Sequence, residues 1–230
     1  TAWLIYAGDN QERLAINSDP HVYNTTYYPQ GSISPSWIAG SLDWSTGQYN
    51  TNTSYLVNDK YSLLGDYIGQ NPDLFTCPAD HYVSPAEARL DWHRRSRTVA
   101  MNGAIGDGYK YGNPATPWGW SPWHVVKKTT DFHFPGPSDC WVICDEHPDS
   151  IDDECLYTPC YPTTTFTELP GNQLAHACGI VYADGHAEQH FWRGPILGQH
   201  TFVEFKTVQQ VPCSISDPDM NFMALHTPRD

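Results

Sequence analysis

The densest chemistry in the chain lies in Asp145-Glu146-His147-Pro148-Asp149-Ser150-Ile151-Asp152-Asp153-Glu154, where carboxylates crowd one short segment. Like charges so close repel unless water or a cation neutralises them, and a hard ion such as Ca²⁺ takes about six to eight oxygens from a flexible loop. The ligands expected on that reading are Asp145, His147, Asp149, Asp152 and Asp153, with structural Ca²⁺ as the cofactor. The spacing is not that of an EF-hand, and the alternative is a solvated acidic loop following a strand. A second constellation, Asp184, His186, Glu188 and His190, carries imidazoles and carboxylates that suit Zn²⁺ or another transition ion. Side chains four apart on a strand stand roughly 13 Å from each other, too far to share one ion, so a polar hairpin face is the stronger reading. Trp118, Trp120 and Trp123 cluster in a Pro-rich loop. Their indoles either stack on sugar rings or a neighbouring subunit, or fold over a sheet as local core, and core packing is the stronger reading. No Gly-rich phosphate loop, G-x-S-x-G elbow or Cys-x-x-Cys pair occurs, so no catalytic residue is assigned.

These side chains depend on a small set of elements for their placement. Trp3, Leu4, Ala7 and Leu14 fall at roughly helical spacing, which predicts the last turns of a helix stopping near Gly8-Asp9-Asn10. A helix that short is marginal alone, so an upstream continuation, since removed, is expected. Residues 18–97 read as loop-rich, with short helices over Leu63 to Gly69 and Pro85 to Trp92. Residues 98–230 read as a sheet with inserted loops. Its strands are expected at Thr98 to Ile105, Cys140 to Glu146 and Gly179 to Ala183, with a Pro- and aromatic-rich insert from Asp107 to Pro137. Asp184-Gly185 is expected at the centre of a two-residue type I′ hairpin turn. That register sets Tyr182 opposite Ala187 with Ile180 on the same side, leaving His186, Glu188 and His190 on the other face. The resulting class is α+β: one helix on an antiparallel sheet, with long aromatic and Pro-rich loops, in a single domain.

Composition narrows the partners. The 230 residues hold 12 Lys and Arg against 26 Asp and Glu, a formal charge of −14 that repels phosphate backbones and anionic lipid. Nucleic acid and membrane contact are therefore not expected, and no apolar run reaches the length of a membrane span. Arg94, Arg95 and Arg97 form the basic cluster, expected to anchor the next strand by pairing with acids. Seven cysteines in a Lys-poor chain point to an oxidising compartment with one thiol left over, which either pairs with a cysteine upstream or stays a buried free thiol. Cys155 and Cys160 are close enough in sequence to close a ring, and Cys144 and Cys178 are the next candidate pair because their strands are expected in one sheet.

Six blocks occur in order: WLIYAGDNQERLAIN at the start, LFTCPAD, SRTVAMNG, VICDEHPDSIDDE, VYADGHAEQHFW and DPDMNFMALHTPR. Together they resemble the prepilin-like (pseudopilin-like) proteins of Verrucomicrobia and Planctomycetes, whose hallmark is a His, nine residues, then Asp-Gly. Asp184-Gly185 supplies the last pair, Leu174 occupies the His position, and His176 stands two residues later. The resemblance implies a pilin-like fold whose N-terminal hydrophobic helix has been cut away. It also implies an extracellular or cell-surface location and other pilin or pseudopilin subunits as partners. Some secretion pseudopilins hold calcium in a loop near the C-terminal sheet, which is the resemblance's bearing on the acidic segment. Cys77, in the block LFTCPAD, is then the odd cysteine, available to a cysteine of the upstream helix. The function expected is a non-catalytic filament or secretion-apparatus subunit. The rival is a secreted carbohydrate-active protein, a glycan-binding module or a polysaccharide hydrolase, using surface Trp and acidic residues.

Overall fold

The computed structural model describes residues 1–17, 36–106, 124–158, 163–198, 203–208 and 210–229. Its strands are β1 (Val99–Asn102), β2 (Trp141–Asp145), β3 (Cys155–Leu156), β4 (Thr165–Phe166), β5 (Ala177–Tyr182), β6 (Ala187–Phe191) and β7 (Val211–Pro212). Five of them form one sheet in the order β3-β1-β2-β5-β6, while β4 and β7 pair separately. The β1–β2, β2–β5 and β5–β6 pairs run antiparallel, but β3 runs parallel to β1. The α+β class stands, and the wholly antiparallel sheet expected from the sequence is corrected to a mixed one. The parallel pair arises because the segment after β2 carries the chain back before β3 is laid down, a crossover that no tight hairpin can make. With only two residues, β3 is too short to carry a periodicity.

Both faces of this sheet are covered along β1, β2 and β5, while the edge strand β6 is largely exposed. Helix α1 (Ala2–Asp9) covers one, where Trp3 and Ala7 pack with Leu14, Trp37, Leu56, Phe75, Met101 and Val142. The helix ends at Asp9, within the predicted stop, and Asn10 closes it by donating backbone and side-chain N–H groups to Tyr6 O. Short helices α2 (Ser54–Val57) and α3 (Pro85–Ala88) lie in the loop-rich region, α3 with a Ser84/Glu87 capping box. On the opposite face α4 (Pro218–Leu225) sets Met220 and Met223 against Trp141, Cys144, Phe166, Cys178, Ile180 and Trp192. Asp217 caps α4 by accepting from the N–H groups of Asp219 and Met220, both at 3.0 Å, with Pro218 in the first turn. A register shift between Trp141 and Ile143 lets Val142 and Ile143 join the α1 side while Trp141 and Cys144 join the α4 side.

Arg97 ties the sheet to the acidic segment. It is fully buried and donates to backbone carbonyls of Val99, Gly40, Asp152 and Asp153 rather than to a carboxylate. Arg95 donates to Pro148 O and stacks on Trp44, and Arg94 alone of the three makes the expected ion pair, with Asp73 at 2.6 Å. A planar fork of donors satisfies several carbonyls at once, which explains Arg at the buried position.

Candidate functional site

The acidic segment is not a solvated loop but is folded into the protein. Asp145, Glu146, His147, Asp149, Asp153 and Glu154 are all buried, and most serve as acceptors for backbone N–H groups. Asp145 Oδ2 accepts from Gly179 N at 2.9 Å, and the Asp149 carboxylate from Glu204 N and Lys206 N. Asp152 accepts from Asp153 N, Asp153 from Cys155 N, and Glu154 from Gly40 N. His147 Nδ1 accepts from Asp149 N, and its ring lines a cavity of about 100 Å³ together with His176. The expected set Asp145, His147, Asp149, Asp152 and Asp153 is thus spread over several partners. Among the described residues no three His, Cys, Asp or Glu side chains are placed to hold a metal ion. Glu146 is fully buried; burial, then the charge of Asp152, pushes its pKa well up against the pull of Arg97. Glu168 is pushed up by burial and by Glu146, while Tyr157 N donates to it at 2.6 Å.

The hairpin turn differs from the expected type I′. Tyr182 N donates to His186 O, only Gly185 of the Asp184-Gly185 pair has positive φ (+93°), and the loop is Ala183-Asp184-Gly185. Longer hairpin loops end in this way, on a residue of positive φ. The extra residue shifts the register by one: Val181, not Tyr182, faces Ala187, and Ile180 faces Glu188. The polar residues therefore share a face with Ile180 and Tyr182. Tyr182 OH donates to Glu188 at 2.6 Å, the His186 ring stacks on Tyr182 and meets Asp184 at 2.6 Å, and His190 stacks on Phe222 of α4 at 3.8 Å. Burial lowers the pKa of His190 despite Glu188. The hairpin face packs on α4 through His190.

The expected Cys144–Cys178 pair is not formed. Cys144 and Cys178 are free thiols; register sets Cys144 against Ile180 and Cys178 against His190. The Cys155 thiol donates to Asn17 Oδ1 at 3.0 Å, and its expected partner Cys160 lies outside the described residues. Cys77 is also free. Trp118, Trp120 and Trp123 fall outside the described residues too.

What the sequence reading missed is a cavity of about 430 Å³ between the start of α1 and the sheet. Its walls are apolar: Trp3, Trp37 and Phe75 on the helix and loop side, Val99, Ile143 and Val181 on the sheet. Asp145 stands on the same sheet face and lines the cavity beside Gly179, where an added Cβ would sit 3.4 Å from its Oδ2. Glu188 is at the rim but turns its carboxylate to Tyr182. Burial raises the pKa of Asp145 to about 6, with the Gly179 N–H opposing and the charge of Asp80 adding to the rise. The signal available in the sequence was Gly179 in an otherwise bulky strand, where a missing side chain marks a close approach or a gap. A concave apolar site with one perturbed acid is the usual form of a small-molecule site. No family model, curated protein or solved structure matches the chain.

Proposed function

We propose that this chain is a non-catalytic pilin-type head, the globular part of a filament or secretion-apparatus subunit that works at the cell surface or outside it. The observation that supports this reading is α1 laid on one face of a sheet whose β1–β2, β2–β5 and β5–β6 pairs are antiparallel, with Trp3 and Ala7 buried against it. The fate of the acids supports it further. Hydrolysis of a glycosidic bond needs two carboxylates facing each other across an open cleft. The acids of the segment after β2 instead hold backbone N–H groups or lie buried, as a scaffold uses them. The partners on this reading are other subunits of the same class.

The test is immunogold microscopy of the producing cells with antibodies raised against this chain, together with a hydrolysis assay on a panel of polysaccharides. Label along filaments or at envelope assemblies, without sugar release, is the expected result. Freely diffusing antigen in the medium, with sugar release abolished by Asp145→Ala, overturns the reading in favour of a secreted hydrolase.

A further inference from the structure

We propose that the cavity between α1 and the sheet binds an amphipathic amine, a molecule with an apolar body and one protonated nitrogen, and that Asp145 receives the nitrogen. This goes beyond the pilin-type reading and does not depend on it.

Size is the first argument. At about 430 Å³ the cavity lies within the span of small-molecule sites, roughly 300–1,000 Å³, and exceeds the voids left by imperfect packing. Its apolar walls carry indole and phenyl rings, whose faces attract both hydrocarbon and cations. Charge is the second argument. Asp145 is buried at 8% exposure, and the described lining carries two carboxylates, Asp145 and Glu188, against one cation, the Thr1 α-amino group. The Gly179 N–H engages Oδ2. An ammonium group brought in by a ligand supplies the counter-charge that the wall lacks, and a charged hydrogen bond there is stronger than in water.

The experiment is calorimetric titration of the whole chain at pH 8 with n-octylamine, octan-1-ol and octanoate. Octylamine is expected to bind about tenfold or more tightly than octanol, the discrimination one charged hydrogen bond provides, and octanoate least. Asp145→Asn should abolish that preference while leaving octanol binding intact. Val181→Phe, which fills the cavity from the sheet side, should remove binding of both, with circular dichroism confirming that each variant is folded. Equal affinity for amine and alcohol, no binding of either, or an amine preference that survives Asp145→Asn each overturns the proposal. So does a chain that sediments as a dimer and binds neither probe, since a second copy would then occupy the groove.

Discussion

Asp145→Asn is also the sharpest probe of the fold's electrostatics. The Asp145 pKa rises from an ordinary 3.8 to about 6, chiefly by burial. Because the folded chain holds this proton more tightly than the unfolded chain, the group adds stability below pH 3.8, and that contribution is lost as pH climbs to about 6. A rise of about two pKa units corresponds to about 3 kcal/mol across that window. Asparagine keeps an uncharged acceptor for Gly179 N, as the protonated acid does. The expectation is a variant about 3 kcal/mol more stable than the parent at pH 8, with the gap closing below pH 4. For a chain of this size that is a rise in melting temperature of about 6–12 °C at pH 8. Urea denaturation of both proteins between pH 3.5 and 8.5 measures it. Parallel stability curves, or a variant weaker at pH 8, refute the claim that Asp145 is a buried charge without a counter-ion.

Other expectations concern single contacts. Arg97→Met strands the carbonyls that Arg97 serves and should cost about 3 kcal/mol or more, read from the urea midpoint. Gly185→Ala places a methyl at positive φ and 2.9 Å from Leu4 Cδ1, and should cost about 1–2 kcal/mol by the same measurement. Brief alkylation followed by peptide mass spectrometry should label half-buried Cys213 before Cys140, Cys144 and Cys178, whose thiols burial keeps protonated. Melting curves in chelator and in millimolar Ca²⁺ should coincide if the acids after β2 act only as backbone acceptors, and a calcium-dependent rise of several degrees would refute that.

The parts of this molecule legible in its sequence are those set by local chemistry. The end of α1, the strands β1, β2 and β5, and the existence of the β5–β6 hairpin all follow from periodicity and turn residues. The hairpin register does not, because a two-residue turn and a three-residue loop both accept Asp-Gly and differ only in how Ala183 is used. Helix α4 carried its signal in Asp217-Pro218 and in Met220, Met223 and Ala224 at helical spacing, but its apolar face becomes meaningful only beside Trp141 and Trp192. The burial of the acidic segment has a tertiary reason. Backbone N–H groups from Gly40, Gly179 and Glu204, remote in sequence, take the place of water around its carboxylates. Cys144 and Cys178 lie on paired strands, yet register, which periodicity cannot fix, sets neither opposite the other.

The two helices that sandwich the sheet come from opposite ends of the chain, and this has a consequence for synthesis. The ribosome delivers α1 first, but the surface that covers Trp3 and Ala7 includes Val142 and Ala183, so the helix waits until most of the chain exists. The β5–β6 hairpin forms locally on a scale of about 1–10 μs, whereas joining β1 and α1 to it requires long loops to close, the slow class of folding event. Nascent chains therefore hold the apolar face of α1 uncovered until β2 and the hairpin have been made, the condition under which chaperones are engaged and aggregation begins. Refolding yield, rather than final stability, is where substitutions in α1 should weigh most.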